Sequence, residues 1–401
     1  MPQLGLTDYF EQFLEKETIF RNKKVLQANY IPDTIPHRKK QIEFVASILA
    51  VSLRHEKPSN LFIYGKTGTG KTTVIQHVSE SLIKTAVDKQ IPVKTIYVNC
   101  KLKKIADTEY RIIAELARML GQDIPATGLP TDEVYNLFLK AIDKEEQIVI
   151  LILDEIDRLV EKAGDNILYS LTRINPELRK AQLSLVGISN DVRFIENLDS
   201  RVKSSLGEEE IVFPPYNALE LRDILDKRAK LAFDENIVEP GVLEKCAAYA
   251  AREHGDARRA LDLLRVAAEL SERESGISIT PDYIDMAEER IEKNRVLEIV
   301  RTQPKQSQSV LLAILELIGK SQKKIETGEV FEKYREICKS IGLNILTQRR
   351  ISDLISELDM LGLINAKVIS KGRYGRTREI YITIPEGLFE QIKSTLREDM
   401  L

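Results

Sequence analysis

The chain has no long apolar run. No unbroken aliphatic stretch is longer than IVILIL at residues 148–153, whereas a membrane-spanning helix needs about 20 apolar residues. The opening residues, MPQLGLTDYFEQFLEKE, have neither a basic start nor an apolar centre, so no signal peptide is expected. Only three cysteines occur, Cys100, Cys246 and Cys338, and no two form a C-x-x-C pair. That argues against a zinc site or a disulfide framework and fits a reducing, cytoplasmic setting. Nor is there an overall excess of positive charge. The net charge is −3, so any surface for a polyanion has to be local. What is present is 43% apolar and 30% charged residues in 401. This is the composition of a soluble, globular, helix-rich chain with core enough for roughly two to four domains.

Residues 61–73, LFIYGKTGTGKTT, stand out. Four apolar or aromatic residues read as a short buried strand. Then come Gly65, Lys66, Thr67, Gly68, Thr69, Gly70, Lys71 and Thr72, followed by Thr73. They match G-x-x-x-x-G-K-[ST] at every fixed position. Val74, Ile75, Val78, Leu82 and Ile83 then recur at helical spacing. Glycines let the backbone wrap around phosphate oxygens, and the loop and helix N–H groups face the anion. Lys71 is expected to bridge the outer phosphates of ATP or ADP, and the Thr72 hydroxyl to help hold Mg²⁺.

Before this loop, residues 7–17 predict an amphipathic helix with Tyr9, Phe10 and Phe13 on one side. Pro32 and Pro36 make residues 19–37 irregular. That segment either folds over the base and ribose or runs as a surface arm. A helix follows over 38–53.

After the loop, residues 93–98 predict a second strand and 107–120 a helix. A proline-bounded loop at about 121–135 then leads to a helix capped by Thr131. Residues 147–154, QIVILILD, are apolar enough to be covered on both faces, as in the middle of a parallel sheet. The strand ends in Asp154, placed to hold Mg²⁺, and Glu155, placed to polarise an attacking water. Another strand, 183–188, ends at Asn190, which could orient the same water. Residues 211–213 form the last strand of the sheet, closed by Pro214 and Pro215.

From 217 to about 296 the pattern is helical throughout. Arg258 and Arg259 fall in a first turn after the cap Asp256, where the helix dipole disfavours cations, so both are expected to face an anion. Residues 303–309, QPKQSQS, read as a linker or tight turn.

Residues 301–401 hold 17 Lys+Arg against 13 Asp+Glu. Three helices (310–318, 327–341, 347–361) precede two strands (363–370, 380–384) joined by the basic KGRYGRTR at 371–378. This is a winged-helix pattern. Its third helix would offer Thr347, Gln348, Arg349 and Arg350 to a DNA major groove. Its wing would offer Lys371, Arg373, Tyr374, Arg376 and Arg378 to the backbone or minor groove.

Together these motifs resemble the AAA+ ATPases, and within them the archaeal origin-recognition and helicase-loading initiators. The AAA+ likeness rests on GKTGTGKT, LILDEID (151–157), ISN (188–190), DSRVKSS (199–205) and GDARRAL (255–261). The initiator likeness rests on YIPDTIPHR (30–38), ATGLPTDEVY (126–135), FPPY (213–216) and the winged helix. The resemblance implies a P-loop α/β AAA+ domain over 1–215, a parallel sheet with helices on both faces, carrying an insertion at about 121–135. It further implies an all-helical lid over 216–300 and a winged-helix DNA-binding domain over 301–401.

By the same likeness Asn190 is a first sensor, Arg258 a second, and Arg201 an arginine finger for a neighbouring subunit. The stretch holding Arg38 and the motif ending in Tyr216 belong to the nucleotide site. Gly128 and Leu129 match the initiator insertion that contacts DNA, although an apolar Leu129 would also pack against the neighbouring helix. The implied partners are double-stranded origin DNA, other initiator subunits and the replicative helicase, with no membrane. The implied activity is slow Mg²⁺-dependent ATP hydrolysis used as a switch. The alternatives are an ATP-gated winged-helix transcription regulator, a Holliday-junction motor, a clamp-loader subunit, or a DNA-binding protein that uses ATP only structurally.

Overall fold

The computed structural model describes residues 18–101, 108–125, 128–206, 208–274, 276–318, 325–370 and 376–400. The helix expected over 7–17, the insertion residues Ala126 and Thr127, and the wing residues Lys371, Arg373 and Tyr374 lie outside them. The chain divides into two compact units, 1–284 and 285–401.

The first unit is built on five parallel strands: β1 (Leu61–Tyr64), β2 (Val93–Asn99), β3 (Ile148–Asp154), β4 (Gln182–Ser189) and β5 (Glu209–Val212). They lie in the order β2-β3-β4-β1-β5. Every residue of β3 is buried, because its alternate side chains enter two different cores. Val149, Leu151 and Leu153 join α3 (Glu109–Met119) and α4 (Thr131–Ile142) through Ile112, Leu116 and Phe138. Ile148, Ile150 and Ile152 join α1 (Lys39–Leu49) and α2 (Lys71–Asp88) through Val45, Leu49 and Val74. Each such aliphatic side chain contributes about 1.5–3 kcal/mol on burial. The unbroken apolar run is therefore what a two-faced central strand requires.

Two helices between β3 and β4 have no counterpart in the sequence reading: α5 (Ile156–Ala163) and α6 (Asn166–Thr172). Thr131 proves to be the first residue of α4, with Pro130 in the cap position and no side-chain cap bond. The rigid φ of proline sets that entry instead of a hydroxyl. A short helix, α7 (Ser200–Leu206), precedes β5.

The helical part of this unit is α8 (Ala218–Ala232), α9 (Val242–Arg252) and α10 (Ala257–Arg273). Helix α8 opens on a reciprocal Asn217–Glu220 capping box. The irregular arm before α1 packs against it. Phe20 bridges to Phe233, with ring centroids 5.3 Å apart, and the amides of Arg21 and Asn22 donate to Ala232 O at 2.8 and 3.1 Å. The guanidinium of Arg228, on α8, donates to Val25 O and Tyr30 O at 3.1 and 3.3 Å. The arm is thereby tied to the helical lid.

Helix α11 (Pro281–Thr302) runs across the division between the units. The second unit continues with α12 (Lys305–Ile318), β6 (Ile325–Glu326), α13 (Thr327–Ile341), α14 (Gln348–Met360), β7 (Ile364–Ser370), β8 (Arg376–Ile382) and α15 (Phe389–Met400). Its antiparallel sheet has the order β6-β8-β7. Three helices followed by a β-hairpin is the winged-helix arrangement, with β6 and α15 added to the elements read from sequence.

Of residues 303–309, read as a linker or tight turn, only Gln303 and Pro304 form the turn, between α11 and α12. Residues 305–309 are the first turns of α12, and Ser307, Gln308 and Ser309 are buried. Gln308 Nε2 donates to Val300 O and Arg301 O at 3.2 and 3.3 Å, satisfying carbonyls at the end of α11. The Gln308 amide serves helix-end hydrogen bonds, a use that composition does not distinguish from solvation.

Candidate nucleotide site and DNA-facing surface

Parallel pairing of β1 with β4 and of β4 with β3 brings the three strand ends together. The phosphate loop after β1, Asp154 and Glu155 after β3, and Asn190 after β4 share one edge of the sheet, where α/β folds bind ligands. The loop turns on two glycines in left-handed conformations, Gly68 (φ +71°) and Gly70 (φ +88°), the latter capping α2. Gly68 is also pressed against the lid. Its carbonyl accepts from the Ala257 amide at 3.1 Å, and a Cβ there would stand 1.7 Å from Asp256 Oδ1.

Lys71 is 5% exposed, and its Nζ donates to Gly65 O, Lys66 O and Asn190 Oδ1 at 2.7, 2.8 and 2.9 Å. Burial pushes its pKa down to about 8, with Asp154 the main opposing influence.

Asp154 is held from three directions. Its Oδ2 accepts from Thr72 Oγ1 at 2.8 Å and from the Tyr97 hydroxyl at 2.6 Å, and its Oδ1 accepts from the Glu155 amide at 2.9 Å. Burial, together with the bond to Asp154, drives the Tyr97 hydroxyl well above its ordinary pKa, so it remains a donor. Thr72 and Asp154 offer hard oxygen ligands side by side, a donor set that fits Mg²⁺. Glu155 sits in the left-handed region at φ +54°, a conformation that costs roughly 1–2 kcal/mol in a residue with a Cβ. Lys101 Nζ lies 3.8 Å from its carboxylate.

A cavity of about 520 Å³ opens over this edge, within the usual range for small-molecule sites. Gly68, Thr69, Gly70, Lys71, Thr72 and Thr73 line its floor. Asp154, Glu155 and Asn190 line the sheet side, Tyr30 to Pro36 the arm side, and Tyr216, Arg228 and Arg258 the lid side. The arm thus faces the cavity. Arg228 stacks on Tyr30, with its guanidinium carbon 4.5 Å from the ring centre.

Gly65, Lys66 and Thr67 do not line the cavity, and neither does Arg38. Arg38 lies behind the loop, 2% exposed, donating to Thr69 O at 2.9 Å and Pro214 O at 2.6 Å. Of the two arginines opening α10, only Arg258 lines the cavity; Arg259 pairs with Glu253 at 3.3 Å. Arg201 lies away from the cavity, paired with Asp199 at 3.0 Å and standing 5.3 Å over the Tyr169 ring.

Tyr97 and Asn99 escaped the sequence reading, although both line the cavity. The signal was the period-2 pattern of β2. Ile96, Val98 and Cys100 are buried, which leaves Tyr97 and Asn99 on the other face.

In the second unit Thr347 caps α14, and Gln348, Arg349 and Arg350 are exposed on its first turn. Arg350 is shared between Asp353 and Glu357 at 3.8 and 3.7 Å. Gln348, Arg349, Val368 and Arg378 surround a shallow depression between α14 and the wing. Arg378 also donates to Ser352 O at 3.0 Å, so one wing arginine braces α14. The Arg376 side chain lies outside the described residues. In the insertion, Gly128 is exposed, whereas Leu129 is partly buried against the core that includes α3 and α4.

Residues 54–195 match the family model of an AAA domain, 222–289 the Cdc6 AAA+ ATPase-type lid domain, and 298–391 the CDC6 C-terminal winged helix domain. The chain is 51% identical over 397 residues to the ORC1-type DNA replication protein 1 of Methanosarcina mazei, covering 98% of this chain and 94% of that one. The chain belongs to the archaeal ORC1-type DNA replication proteins. Another of these proteins, from Pyrococcus abyssi, is 53% identical over 386 residues, 95% of this chain and 91% of its own. Among solved structures, that of the Aeropyrum pernix ORC1 protein in complex with DNA aligns with a TM-score of 0.84 at 45% identity. The alignment covers 96% of this chain and 98% of that one.

Membership in the ORC1-type family makes the nucleotide unit an AAA+ ATPase domain and disfavours the transcription-regulator alternative. No described helix is long and apolar enough to cross a membrane.

Proposed function

We propose that this ORC1-type protein is an ATP-dependent replication initiator whose winged-helix unit and insertion loop bind double-stranded origin DNA. The observation that carries the reading is the single cavity that collects the phosphate loop, Asp154, Glu155, Asn190 and the lid residue Arg258. A second compact unit of the same chain presents Gln348 and Arg349 beside a wing. A site closed by loop, strand end and lid favours a switch over a metabolic turnover site, because its geometry depends on the angle between lid and sheet.

In this reading Lys71 and the loop amides hold the phosphates of ATP or ADP. Thr72 and Asp154 hold Mg²⁺, which neutralises phosphate charge when bound. Glu155 orients and polarises the attacking water with Asn190, and Arg258 reports the outer phosphate to the lid. Arg201, turned away from its own cavity, serves the site of a neighbouring initiator subunit. Hydrolysis is therefore slow in the isolated chain and conditional on assembly. DNA distortion by the bound initiator, followed by recruitment of the replicative helicase, is the proposed output, in the cytoplasm at the nucleoid.

Footprinting on the chain's own genomic neighbourhood, with ATP and with ADP, tests this. Protection of repeated elements beside an AT-rich stretch is expected. Protection of ordinary promoters, or no protection, overturns the reading.

A further inference from the structure

Asp154 Oδ2 takes two hydrogen bonds at once, from Thr72 at 2.8 Å and from Tyr97 at 2.6 Å. Thr72 belongs to the phosphate-loop helix, and the Glu155 amide on Oδ1 belongs to the strand exit. Tyr97 has no place in the phosphate chemistry outlined above. It reaches the carboxylate through the strand register. Asn99 stands opposite Asp154 in the β2–β3 pair, and Tyr97 lies two residues earlier on the same face. The tyrosine therefore extends diagonally, a reach that suits an aromatic side chain. Ile96 and Val98 turn the other way into the core, which locks the face that Tyr97 presents.

We propose that Tyr97 is a positioning residue for the Mg²⁺ end of the site. Its hydroxyl holds the Asp154 carboxylate in the one orientation from which, with Thr72, it takes the cation. The inference rests on the Mg²⁺–nucleotide reading of the cavity. A carboxylate at a strand end has two rotatable side-chain bonds, and its oxygens face the phosphate-loop threonine in only some of the rotamers. Outer hydrogen bonds select that rotamer and commonly carry about tenfold or more in metal affinity. The phenol donates its O–H to Asp154 Oδ2, which leaves the carboxylate's remaining lone pairs to a cation.

The test is a titration of the full chain with a fluorescent ADP analogue, in EDTA and across a range of Mg²⁺, for wild type, Tyr97→Phe and Asp154→Asn. A second readout is the electron paramagnetic resonance spectrum of Mn²⁺ bound in the presence of ADP. Tyr97→Phe keeps the ring and so the packing of β2. It is expected to raise the Mg²⁺ concentration for half-maximal tightening roughly tenfold and to loosen Mn²⁺ in step. Affinity in EDTA and melting temperature are expected to stay at wild-type values. In the double variant with Asp154→Asn, the Phe substitution adds nothing further.

A wild-type Mg²⁺ response in Tyr97→Phe overturns the proposal, because a ring that merely fills space does not need its hydroxyl. An equal loss in EDTA and in Mg²⁺ overturns it as well, by marking a general structural role. A wild-type protein that ignores the nucleotide with or without cation overturns the nucleotide reading itself, an outcome distinguishable from either of these.

Discussion

The guanidinium carbon of Arg38 lies 3.7 Å from the centre of the Tyr216 ring. The two residues are far apart in sequence, Arg38 at the cap position of α1 and Tyr216 just before the cap of α8. Between them the Arg38 head bonds the carbonyls of Thr69 in the phosphate loop and Pro214 at the lid boundary. Burial lowers its pKa, opposed chiefly by Tyr216. One buried cation thus ties loop, sheet edge and lid entrance. Arg38→Met is expected to cost about 2–4 kcal/mol in urea unfolding, from carbonyls left unpaired and a stacking partner lost. Arg38→Lys recovers little, because an ammonium reproduces neither the fork nor the stack.

Lys71 and Glu155 separate binding from turnover. Lys71→Ala is expected to abolish nucleotide binding, measured by titration calorimetry. Glu155→Gln keeps binding and loses at least about a hundredfold in hydrolysis, the ordinary worth of a general base. Phosphate release equal to wild type in the Gln variant would remove Glu155 from that role.

Gly68 touches the lid as well as framing the loop. With φ at +71° and Asp256 in the place a Cβ would take, Gly68→Ala is expected to push α10 off the loop. The protein loses about 1–3 kcal/mol of stability, and nucleotide affinity falls although every phosphate-contacting side chain is intact. Unchanged affinity would show that the lid contact is dispensable.

Cys100, Cys246 and Cys338 are all buried and outside any disulfide. Burial pushes the Cys100 thiol up to about 12, so it holds its proton in the folded chain where the unfolded chain, near 9, gives it up. The stability this contributes is complete below pH 9 and is lost as the pH climbs from about 9 to about 12. At pH 8 an aromatic disulfide reagent is expected to leave the native protein unlabelled and to modify all three thiols in urea. Rapid native labelling would contradict the packing.

On the winged-helix unit, Arg349→Ala is expected to weaken duplex binding by about 1–3 kcal/mol, as for an arginine that reads a base edge. Arg350→Ala is expected to cost less, because that side chain already divides its charge between Asp353 and Glu357. Anisotropy titrations at one fixed salt concentration compare the two. A larger loss at Arg350 would reverse the assignment.

Much of this protein is legible in the amino-acid sequence alone. The strand–loop–helix around Gly65 to Thr73, the two-faced aliphatic β3, the helical lid and the three-helix-plus-wing ending are all local patterns. Each is set by side-chain period and backbone freedom within a few residues of itself. Tertiary structure decided what depends on partners distant in sequence. It turned residues 305–309, part of an apparent linker or tight turn, into the start of a helix with Ser307, Gln308 and Ser309 buried, where Gln308 finds the carbonyls of α11. It separated Arg258 from Arg259, sending one to the cavity and the other to Glu253. It set Tyr97 beside Asp154 through the β2–β3 register, and it drew Arg38 under Tyr216 across nearly half the chain. Period and propensity report which face of an element is buried. They carry no information about which distant polar group will be there to meet it, because that is settled only when the elements pack and every buried donor and acceptor must find a partner.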